Sequence, residues 1–232
     1  MKIALIGDSL TEGRPGVSFV KFLKEKFPTI TFVNLGKPGE SVKSLHTRLT
    51  KTKLNSDYDL AFVWIGVNDV YSKLLSLQAQ PVAKDHEEFK DYYKKILDLV
   101  LVSSKKTVAV SPALVGETNN PSNKEIMELT YLIEYITSKN ANISFLNLHS
   151  VFEEHLAKVN SSDYISTKVL TVMKDVLFYK KHSRIDKLSK KRGLHFTLDG
   201  IHLNSSGAQI VADVYASAIN QFLYKNKDAI DE

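Results

Sequence analysis

About a quarter of the way along the chain, the sequence reads Leu60-Ala61-Phe62-Val63-Trp64-Ile65-Gly66-Val67-Asn68-Asp69. An apolar run of this length, rich in branched and aromatic side chains, is typical of a strand buried on both faces of a parallel sheet. The run ends at a glycine, and an amide and a carboxylate follow almost at once. Ligands of open parallel sheets bind beyond the carboxyl ends of the strands. The stretch therefore predicts a central strand that delivers polar side chains to a binding edge.

Four further apolar runs of strand length lie on either side of this one, at residues 2–6, 30–35, 107–111 and 143–148. Each lies beside glycine, proline or asparagine, which punctuate strands. Between and after the runs, apolar residues recur at helical spacing. The segments with this spacing are residues 17–23, 42–49, 89–100, 126–136 and 210–222. The alternation predicts an α/β fold with a five-stranded, mostly parallel sheet between helices, and one domain over residues 1–232.

Residues 160–192 depart from this alternation and contain no convincing strand. An amphipathic helical pattern is followed there by a basic run, residues 180–192. We therefore expect a helical, basic insertion before the last polar cluster of the chain. The apolar residues that mark its helix are Val169, Val172, Met173, Val176 and Leu177.

The composition is that of an ordinary globular protein, with 232 residues of which 43% are hydrophobic and 25% charged. The absence of cysteine excludes disulfide scaffolds, thiolate metal sites and cysteine nucleophiles. No apolar run approaches the roughly 18 residues of a membrane span. The apolar stretch at the N-terminus is shorter than the roughly 7–15 residues of a signal peptide. The sequence therefore predicts a soluble, cytoplasmic protein.

The formal charge of +5 is concentrated in residues 180–192, which hold seven basic residues and one acidic residue. The other 24 basic and 25 acidic residues nearly cancel, so the net charge is no argument for general nucleic-acid binding. Three interpretations of the basic run stay open: a solvated helix face or loop, a surface for an anionic partner such as phospholipid head groups or nucleic acid, and a lid or rim that favours negatively charged substrates. Because aromatic residues are sparse there, we expect no specific nucleic-acid partner.

Four polar clusters lie where the predicted sheet would present a binding edge. Three follow predicted strands, and one precedes the last helix. They are Gly7-Asp8-Ser9-Leu10, Gly36-Lys37-Pro38-Gly39-Glu40, Gly66-Val67-Asn68-Asp69 and Asp199-Gly200-Ile201-His202-Leu203.

The residue types in these clusters are those of nucleophilic acyl transfer. A serine hydroxyl such as that of Ser9 needs an adjacent base, and histidine, here His202, titrates near neutrality. Asp199 lies three residues before His202 and can orient its imidazole. The oxyanion needs fixed donors, which the Ser9 and Gly39 amides and the Asn68 side chain can supply.

At these clusters the sequence resembles the SGNH (GDSL-type) hydrolase family of serine esterases and lipases. The matching blocks are residues 7–10, 34–39, 66–69 and 199–203, in the family's order. The resemblance implies Ser9 as nucleophile, His202 as base and Asp199 as its orienter. It also implies an oxyanion hole formed by Ser9, Gly39 and Asn68. The expected fold is a flavodoxin-like three-layer α/β/α sandwich, and the expected reaction is ester hydrolysis through an acyl-enzyme without a cofactor.

Each cluster taken alone has a simpler explanation, because Asp, Ser, Asn and Gly also cap helices and form turns. Asp8 fits such a structural role better than a catalytic one. His195 lies near Asp199 and His202, but their spacing is not that of a known zinc site, so we expect no metal. Only the conjunction of all four clusters favours the catalytic interpretation.

Two other functions remain open on the sequence alone. An acyltransferase would use the same site with an alcohol in place of water, and a non-catalytic binding module would use the basic insertion as its interface. For the hydrolase, the expected substrate is an ester of a small molecule, lipid or carbohydrate. The sequence leaves open the acyl chain length, the choice between ester and thioester, and the oligomeric state.

Overall fold

The computed structural model describes residues 1–55, 57–75, 81–168, 171 and 181–228. Five strands in this part of the chain form one sheet in which all neighbours are parallel, in the order β2-β1-β3-β4-β5. The prediction of a five-stranded parallel sheet is therefore confirmed. The strands are β1 (Lys2–Gly7), β2 (Thr31–Gly36), β3 (Tyr58–Trp64), β4 (Ser104–Val110) and β5 (Ile143–Leu146).

Helices flank the sheet and confirm the α/β class. In the described residues they are α1 (Ser9–Glu12), α2 (Phe19–Lys26), α3 (Val42–Lys51), α4 (Val67–Tyr71), α5 (His86–Leu101), α6 (Pro121–Thr137), α7 (Leu148–Leu156), α8 (His182–Lys191) and α9 (Ser205–Asp228). A 3₁₀ turn, Ser72–Leu74, follows α4. α2 packs against α9, while α3 and α6 both pack against α5.

The predicted end of the fifth strand is wrong. The apolar run at residues 143–148 suggested a strand over its whole length, but β5 ends at Leu146. The side chain of Asn147 accepts a hydrogen bond from the Ser150 amide (3.0 Å) and so caps α7. The cap stops the strand because its side-chain acceptor favours a helix start over another extended residue.

The hydrophobic core lies between the sheet and the helices that pack against it. Ile3, Leu5 and Phe62 are buried on β1 and β3. On α9, Tyr215 stacks against Phe62 with ring centroids 4.4 Å apart and packs beside Phe19 of α2 at 5.0 Å. These contacts fix the sheet that carries the predicted clusters.

The topology brings three of the four clusters to one edge. β1 lies between β2 and β3, and Gly7 at its end pairs with Gly36 on one side and Trp64 on the other. Because the strands are parallel, their carboxyl ends leave the sheet together. The segments that follow Gly7, Gly36 and Trp64 are therefore neighbours.

Part of the predicted insertion, residues 160–192, can be compared with the structure. Its apolar helix at residues 169–177 lies outside the described residues except for residue 171. Within the basic run, α8 buries Ile185 and Ser189 and exposes Lys187, Lys190 and Lys191, as a solvated helix face does. Among the helices described, none is both long and apolar enough to cross a membrane.

Candidate active site

Ser9 lies at the point where β1 gives way to α1. The Asp8 carboxylate caps this short helix by accepting a hydrogen bond from the Leu10 amide at 2.9 Å. Asp8 thus fixes the turn, in agreement with the structural role favoured by the sequence. Ser9 is buried in the first turn, where backbone N–H groups have no acceptor within the helix.

A chain of hydrogen bonds joins Ser9 to two residues from the end of the sequence. Ser9 Oγ lies 3.1 Å from His202 Nε2, and His202 Nδ1 lies 2.8 Å from Asp199 Oδ2. Because a carboxylate only accepts hydrogen bonds, Nδ1 carries the proton, and Nε2 is left to accept from the Ser9 hydroxyl. The predicted catalytic residues therefore lie together in the order that the chemistry requires.

The turn between Asp199 and His202 sets the geometry of this pair. The second carboxylate oxygen, Asp199 Oδ1, accepts from the Ile201 amide at 3.1 Å and from the His202 amide at 2.8 Å. Gly200 between them adopts φ +93°, a conformation that other residues rarely reach. The carboxylate consequently binds both the backbone and the side chain of His202, which fixes the ring.

The charge of Asp199 survives complete burial. Burial alone would raise the pKa of Asp199, but the neighbouring His202 and the hydrogen bonds from its side chain and backbone outweigh this, and the pKa lies below its usual value. An ionised Asp199 can therefore stabilise a protonated His202.

The predicted oxyanion donors come from the segments after β2 and β3. Gly39 adopts φ +74°, and a Cβ there would meet no atom within 4 Å, so its backbone borders open space. Asn68 lies in the first turn of α4, and its Nδ2 donates to the Glu40 carbonyl at 2.9 Å and to Asp8 Oδ2 at 3.3 Å. These contacts tie the three sheet-edge segments together and hold the amide in place.

Two buried carboxylates flank this arrangement. Burial raises the pKa of Asp8 to about 7 and that of Asp69 to about 6. Asp69 accepts from the Val42 amide at 2.9 Å and the Ala83 amide at 3.3 Å, and so joins the starts of α3 and α4. Asp69 thereby braces the segment that carries Asn68.

An ion pair that the sequence did not predict supports the loop of Gly39. Arg48 on α3 donates through Nε and one Nη to the two carboxylate oxygens of Glu40, each at 2.7 Å. The same Nη donates to the Leu35 carbonyl at 2.9 Å. Because nothing in the eight-residue spacing of Glu40 and Arg48 is distinctive, no local sequence signal could have revealed the pair.

His195 does not join the catalytic residues. Its side chain is exposed, and its Nε2 lies 3.2 Å from the Asn160 carbonyl. In the described part of the chain, no group of three or more His, Asp or Glu side chains is arranged to hold a metal ion.

A hydrogen-bonded Ser, His and Asp beside amide donors, at the carboxyl edge of a parallel sheet, is the arrangement of a serine ester hydrolase. The family model for GDSL-like lipase/acylhydrolase matches residues 3–214. The chain belongs to this family, which confirms the resemblance found in the sequence.

Several solved structures share the fold. Acetyl xylan esterase AlAXEase is 20% identical, with 94% of this chain and 100% of that chain covered and a TM-score of 0.67. The acetylxylan esterase Axe2 from Geobacillus stearothermophilus is 17% identical over 92% of this chain and 91% of that chain, with a TM-score of 0.64. A putative platelet activating factor from Streptococcus pneumonia is 19% identical over 93% and 82%, with a TM-score of 0.59. A comparison with curated protein sequences gives no match.

Proposed function

We propose that the protein hydrolyses carboxylic esters through an acyl-enzyme on Ser9. The observation that carries the proposal is the hydrogen-bonded series from Ser9 Oγ to His202 Nε2 (3.1 Å) and from His202 Nδ1 to Asp199 Oδ2 (2.8 Å). Membership of the GDSL-like lipase/acylhydrolase family supports the same reaction class.

In the acylation step, Ser9 Oγ attacks the ester carbonyl carbon while His202 Nε2 accepts the hydroxyl proton. Asp199 stabilises the imidazolium that forms. The carbonyl oxygen becomes an oxyanion, to which the backbone amides of Ser9 and Gly39 and the Asn68 side chain donate. His202 then returns the proton to the leaving alkoxide, and the C–O bond to the alcohol breaks.

Deacylation repeats the sequence with water as the nucleophile. His202 Nε2 accepts a proton from water, whose oxygen attacks the acyl carbon of the Ser9 ester. The second oxyanion occupies the same donors, and its collapse releases the carboxylic acid. The proton then passes from His202 to Ser9 Oγ, so the enzyme returns to its starting state without a cofactor.

For the substrate class, we propose short acyl esters of hydroxyl-rich alcohols, with O-acetylated carbohydrates first among them. Support comes from the acetylxylan esterases among the structures that share the fold. Because the similarity concerns the fold, the acyl and alcohol groups of the substrate are to be identified by assay.

A direct test compares Ser9→Ala and His202→Ala with the unaltered protein on an aryl acetate and an acetylated xylo-oligosaccharide. We expect both variants to lose on the order of 10³-fold or more in kcat, because each removes a member of the triad. An organophosphonate should label the unaltered protein once, and Ser9→Ala not at all. Ser138→Ala changes an exposed serine on a helix end and should match the unaltered protein. Full activity of Ser9→Ala would refute the mechanism.

A further inference from the structure

One buried carboxylate outside the proposed triad receives five hydrogen bonds. Glu117 lies in the loop between β4 and α6 and is only 3% exposed. Its Oε1 accepts from the Phe196 amide (2.8 Å) and from the Thr197 amide (2.6 Å) and hydroxyl (2.7 Å). Its Oε2 accepts from the His195 amide (2.7 Å) and the Ser161 hydroxyl (2.9 Å). No uncharged side chain offers two acceptor oxygens of this kind, so the five donors match a carboxylate.

Four of the five donors come from residues 195–197, immediately before the turn that holds Asp199 and His202. Thr197 Oγ1, which donates to Glu117, accepts from the Gly200 amide at 3.1 Å. Thr197 also pairs with Leu203 in an isolated antiparallel bridge, and the Leu198 amide donates to the His202 carbonyl at 2.6 Å. Through Thr197, Glu117 therefore contacts both arms of the turn.

Glu117 is itself held on a fixed base. The Gly116 amide donates to the Gly200 carbonyl at 2.7 Å, which adds a second link between the two loops. Asn123 on α6 accepts from the Val115 amide at 2.9 Å and donates to the Gly116 carbonyl at 3.1 Å. The loop of Glu117 thus connects the turn of Asp199 and His202 to α6.

The topology explains why this connection matters. Ser9 and Asn68 follow strands of the sheet directly, so pairing within the sheet sets their positions. Residues 192–204 join α8 to α9 and add no strand to the sheet. The position of His202 relative to Ser9 therefore depends on contacts such as those of Glu117 and Thr197.

We propose that Glu117 is a positioning residue of the esterase: it holds the turn of Asp199 and His202 at hydrogen-bond distance from Ser9. The proposal rests on the proposed function, since it concerns the geometry of that triad. Glu117 takes no part in proton transfer and acts only through residues 195–200. A shift of about 1 Å in such a turn can lower a rate about 10²-fold.

The test measures kcat and KM of Glu117→Gln on an aryl acetate, with kcat expressed per active site by organophosphonate titration. The amide turns an N–H donor towards groups that themselves donate, so the turn is displaced. We expect kcat per titrated site to fall about 10- to 100-fold while KM stays within about twofold. A purely structural role would lower the yield of folded protein and leave kcat per titrated site unchanged.

Thr197 gives a milder pair of variants that does not depend on the folding of Glu117→Gln. Thr197→Val removes the hydroxyl that links Glu117 to Gly200 and should lower kcat per site, whereas Thr197→Ser keeps the hydroxyl and should restore it. Because both residues act in one connection, the double variant Glu117→Gln/Thr197→Val should be little slower than the slower single variant.

Asp186 supplies a matched control. Its carboxylate accepts from the amide (3.0 Å) and hydroxyl (2.9 Å) of Ser205 at the start of α9. Asp186→Asn should lower the thermal midpoint and leave kcat per site unchanged. The proposal is overturned if Glu117→Gln behaves like Asp186→Asn, or if Thr197→Val and Thr197→Ser have equal kcat. Failure of the proposed function would look different, because Ser9→Ala would then keep its activity and the phosphonate would not label Ser9.

Discussion

The Asn68 amide, the proposed side-chain donor to the oxyanion, is held in place by hydrogen bonds to its neighbours before any substrate binds. One of its N–H groups is held by the Glu40 carbonyl at 2.9 Å, and the longer contact to Asp8, at 3.3 Å, leaves the other weakly engaged. Because the amide is already held by one N–H group and the other is weakly bonded, the second N–H can donate to a developing oxyanion with little reorganisation. The neighbours of Asn68 therefore matter as much as the amide itself.

Replacing Asn68 should affect the transition state more than the bound substrate. We expect Asn68→Ala to lower kcat by roughly 10²–10³-fold with a small change in KM, as for the loss of one oxyanion donor. Steady-state kinetics on an aryl acetate measure both constants. Asn147→Ala is the control, because it removes an amide that caps α7, and should cost about 1 kcal/mol of stability without lowering kcat. Equal kcat in both variants would exclude Asn68 as a donor.

For single residues, spacing along the chain explains which contacts the sequence could predict. Asp199 and His202 are three residues apart, so a single turn brings them into contact. Glu117 and Thr197 are 80 positions apart, and no pattern near either residue indicates their contact. The positions of the proposed reacting groups could be predicted from their sequence motifs, whereas the residues that hold them in place could not.

Among the elements, the loop after β2 depends on a helix for its shape. The Glu40 side chain is 2% exposed, and Arg48 of α3 neutralises it through two hydrogen bonds. The loop carries Gly39, so α3 also supports the proposed oxyanion hole. Removing one partner of such a pair leaves a buried charge without compensation.

We therefore expect Arg48→Ala to destabilise the protein by about 3 kcal/mol. Urea unfolding followed by circular dichroism measures the change. Lys26→Ala breaks the exposed ion pair between Lys26 on α2 and Asp213 on α9, and should change stability by less than about 1 kcal/mol. If the two variants lose the same stability, burial of Glu40 is not the cause.

The exposed lysines of α8 test whether the basic run serves as a rim. A triple lysine-to-glutamine variant should raise KM for a negatively charged aryl ester, while KM for a neutral ester stays the same. The difference should shrink in salt, which screens exposed charges. The lysines of this variant are Lys187, Lys190 and Lys191.

A control with the same change in net charge replaces exposed lysines elsewhere on the surface. It should leave KM for both esters unchanged, and an equal rise in both triple variants would indicate that only the net charge matters. The control lysines are Lys51, Lys53 and Lys158.

Periodicity predicted five of the helices but missed the nine-residue α7 and the two shortest, α1 and α4. α2, α3, α5, α6 and α9 each carry a repeating apolar face, which is visible in the sequence. α1 and α4 have four and five residues, too few for a periodic pattern. These short helices carry Ser9 and Asn68, so motif resemblance indicated the site where helix periodicity gave no signal.

Over the whole molecule, pH should act on stability through the buried carboxylates. The pKa of Asp69 is raised to about 6 by burial, so the folded state keeps a proton that the unfolded state has already lost. Its contribution is therefore complete at low pH and is lost as the pH rises through about 6. If Asp69 instead bound its proton more tightly in the unfolded state, stability would rise with pH over this range.

Asp69→Asn removes this titration. Relative to the unaltered protein, the variant should gain roughly 1 kcal/mol as the pH rises from about 5 to about 7.5. Urea unfolding at both pH values measures the free energy of unfolding of each protein. The part of the difference between variant and unaltered protein that does not depend on pH cancels when the two pH values are compared. Asp59→Asn should show no such change, because the hydrogen bond from Lys105 helps to lower the pKa of Asp59 and the carboxylate stays ionised at both values. A pH-independent difference for Asp69→Asn would contradict the prediction.

The alternation of strands and helices was sufficient to predict the parallel sheet, because a strand that must cross over to a parallel neighbour needs a helix between. The alternation did not specify which strands are neighbours. That choice places β1 between β2 and β3 and so gathers the polar clusters.

The distance along the chain between Ser9 and His202 has a consequence for synthesis. The last strand of the sheet ends at Leu146, and the proposed base follows much later, between α8 and α9. A chain emerging from the ribosome therefore presents the proposed nucleophile, Ser9, long before the proposed base that would activate it has been synthesised. In the proposed mechanism, a chain that has not yet been synthesised as far as His202 has no base for Ser9, so its serine is not activated for acylation.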